Sequence, residues 1–341
     1  MAATFTDISE WIVKTWESSG KGTSPLMIVE NPRTAEVFFF KEAHVKYETE
    51  FWSEVIASKY GQFLGLNVLD YNIGYFKGRL GCLSKRMVDV ENGESLYHGV
   101  EVLNDHVDTF RLTNKPVFSY QDLEIICELP NFKGFLKNIH ELILFDALIG
   151  NTDRHTENWA FIKNISVKLE LSEGNPDKNM TISSRIWAKI SRNKTPQSFL
   201  ESSDNNPKII VNENYSFSPI YDSGCCLGRE IQEEKLQDFI NNSNRIESYI
   251  KRGKNEIRWN SENKGFFELV EILLGNEQDN IKETFQKISK NYTNDKVQKF
   301  VNEIDEDVRR KIGETKLTLQ RKQFIIKLLT ARFDKLKTVI G

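Results

Sequence analysis

The pattern of apolar and polar positions over the first 90 residues predicts a small sheet with one helix. Four short apolar runs bounded by turn residues have the length and composition of strands: 25–29, 35–41, 68–76 and 80–90. Between the second and third runs, apolar side chains from Phe51 to Leu64 recur at helical spacing, and Gly65 provides a stop. We therefore expect an N-terminal unit in which one helix packs on the strands.

From about residue 92 onward the pattern becomes mainly helical. Apolar positions at helical spacing predict helices over 138–149 and 317–340. Short apolar runs predict strands at 159–162, 209–211 and 219–221. Segment 172–207 is rich in Ser, Asn, Lys and Asp and poor in large apolar residues, which favours a flexible insertion. The whole pattern predicts an α+β chain.

Composition narrows the class of protein. The chain has 341 residues, with 46 Lys and Arg against 49 Asp and Glu, and 39% of its residues are hydrophobic. That hydrophobic content supports packed cores and excludes a globally disordered chain. The near-neutral charge argues against a protein that coats nucleic acid, so we expect no direct nucleic-acid binding. The length is typical of two structural units or of one bilobal domain.

Signals for membranes, secretion and cysteine-based sites are weak. No apolar run approaches the ~18–20 residues of a membrane helix, so we expect no membrane partner. Residues 1–16 lack the apolar core and cleavage site of a signal peptide, which predicts a cytoplasmic protein. Cys82, Cys127, Cys225 and Cys226 show no C-x-x-C spacing. This argues against both a disulfide framework and a zinc site.

The strongest chemical signal is the polar loop 151–158, Asn-Thr-Asp-Arg-His-Thr-Glu-Asn, which follows a predicted helix at Gly150. Phosphoryl transfer needs a carboxylate near the attacking hydroxyl and oxygen ligands for Mg²⁺ a few residues away. Asp153 and Asn158 have that spacing on this loop. So many polar side chains between apolar segments need hydrogen-bond partners, and no simple structural purpose explains them. The loop therefore predicts a phosphoryl-transfer site.

Three further segments supply the other parts of a kinase site. Asp222 follows a short strand and precedes a turn that ends in glycine, where an aspartate can hold a metal ion. Lys41 ends a strand within reach of nucleotide phosphates, and Glu54 on the next helix is its natural ionic partner. Segment 18–24, Ser-Ser-Gly-Lys-Gly-Thr-Ser, offers glycine N–H groups that can cover phosphates.

Each of these segments also has a purely structural interpretation. A lysine at the end of a strand is usually solvated. Segment 18–24 is typical of a flexible turn and is not a Walker A motif, and Asp-Ser-Gly at 222–224 is a common turn. His155 either takes part in the site or hydrogen-bonds the loop backbone. Taken together and in this order, the segments favour a kinase site.

The pattern N-x-D-R-H-x-x-N at 151–158 resembles the catalytic loop of atypical kinases, in which Asp-Arg-His-x-x-Asn replaces the His-Arg-Asp of ordinary protein kinases. The fuller pattern resembles the HipA-like serine/threonine kinases, a group that includes the HipA toxin and CtkA-like small kinases. The matching segments are spread along most of the chain: 38–41, 53–66, 148–162, 218–227 and 256–259. The resemblance implies an α+β, bilobal protein-kinase-like fold. Its small β-rich N-lobe would span 1–90 and its larger, mainly helical C-lobe 91–341.

The same resemblance implies an ATP- and Mg²⁺-dependent kinase that acts on a serine or threonine of a protein substrate. Asp153 would be the catalytic base, with His155 beside it. Asn158 and Asp222 would be the metal ligands. Lys41, paired with Glu54, would contact the nucleotide phosphates. The other residues that would bind ATP are Gly20, Lys21, Gly22 and Thr23 of the phosphate-covering segment, together with Lys85, Met87 and Tyr221.

Within this set, the backbone groups of Lys85 and Met87 would read adenine at the hinge between the lobes, and Tyr221 would flank the pocket. In the family a serine of the glycine-rich loop is autophosphorylated, which ejects the loop and switches the kinase off. The residues that could play this part here are Ser18, Ser19, Thr23 and Ser24.

Two features depart from the family pattern. Full-length HipA toxins carry a further N-terminal subdomain, whereas few residues precede segment 18–24 here, so a toxin role and an antitoxin-like partner stay open. Segment 172–207 lies between Asn158 and Asp222, either as a regulatory or docking arm or as a tolerated surface insertion. Two other functions also remain: a kinase for a small molecule or lipid headgroup, and a non-catalytic nucleotide-binding pseudokinase.

Overall fold

The computed structural model describes residues 2–17, 26–42, 49–111, 117–170, 180–182 and 208–341. The predicted glycine-rich loop at 18–24 and most of the predicted insertion at 172–207 lie outside these residues. The described chain combines a strand-rich N-terminal part with a mainly helical C-terminal part, so the predicted α+β class is confirmed. Among the described residues, no helix combines the length and apolar character needed to cross a membrane.

The N-terminal part is built on a six-stranded sheet with the strand order β1-β5-β6-β4-β3-β2. Its strands are β1 (Phe5–Asp7), β2 (Ile12–Glu17), β3 (Leu26–Glu30), β4 (Val37–Glu42), β5 (Tyr71–Phe76) and β6 (Arg79–Lys85). All neighbours are antiparallel except β1 and β5, which are parallel. The four strands predicted from apolar runs are all present, and β5 and β6 are shorter than their runs.

Helix α1 (Glu50–Leu64) packs against β5 and β6 and ends at Gly65, whose φ of 81° is left-handed and suits glycine. Because side chains alternate along a strand, the sheet presents two different faces. One face carries Lys41 opposite Cys82 and is turned towards α1. The other face holds a separate apolar cluster of Ile8, Met27, Val29, Phe40, Phe76 and Leu83.

A second sheet lies within the C-terminal part, with the order β10-β8-β7 and β9 paired to β8. Its strands are β7 (Glu94–His98), β8 (Ala160–Glu170), β9 (Met180–Ile182) and β10 (Lys208–Phe217). Strands β8 and β10 form a long antiparallel ladder, much longer than the short runs predicted at 159–162 and 209–211. The added length of β8 alternates apolar and polar side chains, with Ile165, Val167 and Leu169 as the apolar positions, a strand signal that the sequence prediction missed. Strand β7 was likewise missed, in a region predicted to be helical.

The other secondary-structure elements of the described chain are helices. They are α2 (Gly99–His106), α3 (Asp108–Arg111), α4 (Tyr120–Glu128), α5 (Leu136–Ile149), α6 (Glu233–Asn241), α7 (Ser243–Arg252), α8 (Phe266–Asn276), α9 (Gln278–Ser289), α10 (Asn294–Glu303), α11 (Glu306–Ile312) and α12 (Leu319–Ile340). Helix α12 is central, since it packs against α5 to α10. One continuous apolar core joins these helices to α1. The helices predicted at 138–149 and 317–340 are confirmed as α5 and α12.

Candidate functional site

The loop 151–158 begins where α5 ends. Gly150 adopts a left-handed φ of 71°, and its amide donates to the carbonyl of Asp146 at 2.7 Å. A side chain at Gly150 would collide with the guanidinium of Arg332, so both the conformation and the space call for glycine. The buried side chain of Asn151 donates to the Asp146 carboxylate at 3.2 Å. The start of the loop is therefore held tightly against the core.

Arg154 is the centre of the loop and is fully buried. Its guanidinium forms a two-point ion pair with Asp146, with Nε to Oδ2 at 3.0 Å and Nη2 to Oδ1 at 2.8 Å. Nη1 donates to the carbonyls of Asn158 and Tyr221, at 2.7 and 2.6 Å, and Nη2 donates to Ser223 Oγ at 2.9 Å. Arg154 thus joins helix α5, the polar loop and the segment around Asp222.

Arg154 was not among the residues predicted from sequence to form the site. The sequence did contain a sign of this role, because an arginine between apolar segments needs hydrogen-bond and ion-pair partners if it is buried. Two of its partners, Tyr221 and Ser223, lie 67 and 69 residues further along the chain, so sequence spacing gave no way to identify them.

Asp153 and Asn158, two of the three loop residues predicted to be functional, are joined by a hydrogen bond from side chain to backbone. Asn158 Nδ2 donates to the backbone carbonyl of Asp153 at 2.7 Å, which leaves the amide oxygen of Asn158 for another partner. Asn158 is buried and Asp153 is partly exposed. The loop therefore presents a carboxylate and an amide oxygen from one short, hydrogen-bonded turn.

Asp222 follows strand β10 and an isolated bridge between Ile220 and Val68. Its φ of 49° is left-handed, a conformation that aspartate tolerates better than most residues. Lys41 Nζ lies 3.1 Å from Asp222 Oδ1 and 4.0 Å from Glu54 Oε2. The predicted cluster of Lys41, Glu54 and Asp222 is therefore brought together, with the lysine nearer to the aspartate than to its predicted glutamate partner.

The charges in this cluster influence one another. Burial alone would lower the pKa of Lys41 and raise that of Asp222, but their proximity reverses both effects: the pKa of the lysine is raised and that of the aspartate is lowered. Burial, followed by the negative charge of Asp222, raises the pKa of Glu54 to about 7. Lys41 and Asp222 are consequently charged at neutral pH.

Helix α1 is connected to the segment after Asp222 at two points. Glu54 Oε1 accepts a hydrogen bond from the amide of Ser223 at 2.9 Å. One helical turn earlier, Glu50 Oε1 pairs with Arg229 Nη1 at 2.5 Å. The position of Glu54 beside Lys41 therefore depends on the same segment that carries Asp222.

The oxygen ligands available here suit Mg²⁺, which prefers hard oxygen donors and keeps several waters. Asp222 is held ionised by Lys41, and its side chain is 39% exposed. Asn158 adds an amide oxygen from the loop that Arg154 ties to the Asp222 segment. These residues fit a magnesium ion that is also bound by phosphates.

Lys85 is the last residue of β6 and Met87 lies two residues beyond it, in the segment predicted to be the hinge. The amide of Arg86 donates to the Val37 carbonyl at 2.9 Å, so this residue faces β4. Neighbouring residues of an antiparallel strand direct their backbone N–H and C=O groups to opposite sides. The N–H and C=O groups of Lys85, which precedes Arg86, therefore point away from β4. The Lys85 side chain is exposed and pairs with Glu36 at 2.6 Å. The backbone N–H and C=O groups of Lys85, and not its charged side chain, therefore point past the start of β5.

His155 and Tyr221 interact with the loop backbone. Nδ1 of His155 accepts a hydrogen bond from the amide of Glu157 at 3.2 Å. The hydroxyl of Tyr221 donates to the carbonyl of Glu157 at 2.8 Å and lies 3.1 Å from Nδ1 of His98. Both side chains brace the loop, and their predicted roles in catalysis and ATP binding stay predictions.

The predicted phosphate-covering residues Gly20, Lys21, Gly22 and Thr23 lie outside the described residues, as do the autophosphorylation candidates Ser18, Ser19 and Ser24. They belong to the connection between β2 and β3, which are antiparallel neighbours at one edge of the sheet.

Comparisons with known proteins were made by sequence and by structure. No protein-family model and no curated protein sequence matches the chain. Among solved structures, the Helicobacter pylori proinflammatory kinase CtkA matches with a TM-score of 0.70 and 16% sequence identity, over 99% of this chain and 96% of that chain. HipA, in a complex of the Shewanella oneidensis MR-1 toxin–antitoxin system with HipB and operator DNA, gives a TM-score of 0.48 and 12% identity, over 96% of this chain and 66% of that chain.

The similarity to CtkA extends over almost the whole of both chains, which confirms at the level of fold the resemblance seen in the sequence motifs. The strand-rich N-terminal part and the helical C-terminal part both fall within it. The chain therefore has the fold of the kinase CtkA.

Proposed function

We propose that this protein is an ATP- and Mg²⁺-dependent serine/threonine protein kinase of the HipA-like type. The observation that carries the proposal is the meeting of Lys41, Glu54 and Asp222 with the loop that bears Asp153 and Asn158. These side chains come from four separate parts of the sequence, and chain-wide similarity to the kinase CtkA supports the same function. A cluster of charged side chains with this composition, partly open to solvent, has a clear use in phosphoryl transfer.

Each residue has a defined part in this proposal. Lys41 binds nucleotide phosphates and is held in place by Asp222 and Glu54. Asn158 and Asp222 hold Mg²⁺, which when bound supplies charge neutralisation of the phosphates. Asp153 orients the acceptor hydroxyl and takes up its proton. Phosphoryl transfer relies mainly on positioning and electrostatics, which is the chemistry that this arrangement can supply.

The remaining parts follow the kinase pattern. The backbone of Lys85 and Met87 binds adenine at the hinge, between an N-lobe of residues 1–90 and a C-lobe of residues 91–341. The glycines of segment 18–24 cover the phosphates, and the serines and threonine of that segment are autophosphorylation candidates. A toxin role with an antitoxin-like partner stays a prediction from the family resemblance.

The proposal is tested by incubating the protein with labelled ATP, Mg²⁺ and a cell extract, followed by mass spectrometry. We expect phosphoserine or phosphothreonine on protein, and we expect Asp153→Asn to reduce turnover at least about a hundredfold. Asp238→Asn provides a matched control, since Asp238 lies exposed on α6 and pairs with Arg245.

Three outcomes would contradict the proposal. A labelled lipid or metabolite without labelled protein would instead identify a small-molecule kinase. ATP binding without any transfer, or full turnover by Asp153→Asn, would identify a nucleotide-binding module or a different catalytic residue.

A further inference from the structure

Cys225 lies beside the carboxylate proposed as the catalytic base. It is three residues beyond Asp222, it is partly exposed, and its Sγ is 3.2 Å from Asp153 Oδ2. This distance is short for a hydrogen bond with sulfur, and the thiol is the donor because a carboxylate only accepts. The contact joins residues 72 positions apart in the sequence.

The backbone holds this contact in place. The amide of Thr152 donates to the carbonyl of Cys225 at 3.2 Å, and the amide of Leu227 donates to the carbonyl of Ile149 at 3.0 Å. These two hydrogen bonds hold the backbone at Cys225 and Leu227 against the end of α5 and the start of the polar loop. With the backbone held there, the thiol of Cys225 lies within hydrogen-bond distance of the Asp153 carboxylate.

The thiol stays protonated in this environment. Burial, followed by the negative charge of Asp153, raises the pKa of Cys225 to about 12. At neutral pH the sulfur therefore donates its proton to Asp153 in a hydrogen bond and does not compete with it as a base. When Oδ2 is engaged in this way, the plane of the carboxylate is set and Oδ1 can be directed at an acceptor hydroxyl.

We propose that Cys225 is a positioning residue, which orients the Asp153 carboxylate to accept the proton of the acceptor hydroxyl. This inference rests on the proposed kinase function, and it adds a residue that acts through the base and does not touch the substrate. Lys41, Asn158 and Asp222 are not in contact with this thiol among the described hydrogen bonds, so nucleotide binding is expected to be independent of it.

The first test compares the kinetics of Cys225→Ala and Cys225→Ser. Because a single hydrogen bond from a weak thiol donor is lost, we expect Cys225→Ala to lower kcat about threefold to tenfold. The KM for ATP should change less than about twofold, since a residue that acts only on the base leaves ground-state binding intact. Cys225→Ser keeps a donor and should restore kcat to within about threefold of the unsubstituted protein.

Cys127→Ala is the matched control, because Cys127 is a free cysteine on α4 and loses the same atoms. An unchanged kcat for Cys225→Ala, a serine variant as slow as the alanine variant, or a loss confined to the KM for ATP would each overturn the positioning role. Thermal unfolding of all variants separates these results from misfolding.

The second test does not require phosphoryl transfer. Asp153→Asn removes the charge next to the thiol, so alkylation of Cys225 by iodoacetamide at pH 8 should become about threefold to tenfold faster, as expected for a fall of up to one pKa unit. Mass spectrometry assigns the label to Cys225, and Asp238→Asn is the control. An unchanged rate would show that the contact is absent and overturn the inference.

The two tests distinguish the two proposals. If the unsubstituted protein transfers phosphate and Asp153→Asn does not, but Cys225→Ala is fully active, only the positioning role fails. A second outcome is that no phosphoryl transfer is found although the alkylation rate responds to Asp153→Asn. The contact between Cys225 and Asp153 then exists, but the kinase function fails and the catalytic role of the contact fails with it.

Discussion

Arg154 shows how a single side chain can define the geometry of this site. Its five hydrogen bonds satisfy Asp146, two backbone carbonyls and the hydroxyl of Ser223, all away from water. The pair with Asp146 is completely buried. Such a pair adds little net stability compared with apolar residues, yet removal of one partner leaves the other as an uncompensated buried charge. The role of Arg154 is therefore to impose one arrangement on the loop and the Asp222 segment.

We predict that Arg154→Ala lowers the free energy of unfolding by about 3–5 kcal/mol, because Asp146 is left buried without its counter-ion. Urea denaturation followed by circular dichroism measures this change. The matched control is Arg245→Ala, since Arg245 forms an exposed pair with Asp238 and should contribute about 1 kcal/mol or less. Equal effects of the two substitutions would show that the Arg154 pair is not buried as described.

At the scale of elements, helix α1 is enclosed on nearly all sides. A helix of this kind belongs in a core between two layers, and α1 has the sheet on one side and the C-terminal helices on the other. Trp52 Nε1 donates to the carbonyl of Thr315 at 2.6 Å. The rings of Tyr60 and Phe63 stack on Phe300 of α10, with centroids 6.2 and 6.0 Å apart. The helix that carries Glu54 is thus held by the C-terminal part of the chain.

Phe300→Ala is therefore expected to destabilise the protein by about 3–5 kcal/mol, the usual cost of removing a buried aromatic side chain. Its ring is buried, so the substitution leaves a cavity between α1 and α10. Leu319→Ala is the control, because Leu319 is 68% exposed and should change stability by about 0.5 kcal/mol or less. Chemical denaturation measures both values. A Phe300→Ala variant as stable as the control would contradict the tight packing of α1.

At the scale of the whole molecule, strand β1 connects the two parts of the fold. Phe5 is paired with Ile73 of β5 in the N-terminal sheet. On its other side, the amide of Phe5 donates to Asp307 Oδ2 on α11 at 2.8 Å, and the amide of Ala3 donates to the carbonyl of Ile304 at 2.9 Å. One short strand near the start of the sequence therefore ties the sheet to helices more than 300 residues away.

The hydrogen bond from the Phe5 amide, followed by contacts with Arg310 and Lys311, lowers the pKa of Asp307 to about 2. An acid with a lowered pKa stabilises the fold above its unfolded pKa of about 4, and this stabilisation is lost as the pH falls from about 4 towards 2. We predict that Asp307→Asn costs about 1 kcal/mol at pH 7, a value reduced for solvent screening, and removes this part of the acid sensitivity.

Thermal unfolding between pH 2 and pH 7 checks the prediction for Asp307, and hydrogen exchange of residues 5–7 should become faster in the variant. Asp238→Asn serves again as the surface control. Unchanged exchange in β1 together with an unchanged pH profile would mean that Asp307 does not anchor the strand.

Sequence patterns predicted a structural feature correctly where all the residues that define it lie in one short segment. The helix ending at Gly65, the helix ending at Gly150 and the polar loop between α5 and β8 could all be predicted, because periodicity, glycine stops and dense polar residues are encoded over short distances. Features that depend on contacts between residues far apart in the sequence were harder to predict. Lys41 was paired with Glu54 from the helix that follows it, and the structure places it closer to Asp222, 181 residues away.

The sequence alone was enough to predict the α+β class and the main helices and strands of the N-terminal part, and to select the residues that we propose for phosphoryl transfer. These follow from local backbone preferences and from the alternation of apolar and polar side chains. Only the tertiary structure decided that Arg154 joins the loop to the Asp222 segment, that Cys225 donates to Asp153, and that β1 ties the sheet to α11. The physical reason is that hydrogen bonds and ion pairs depend on distances of about 3 Å, and the folded backbone sets those distances between residues that are far apart in the chain.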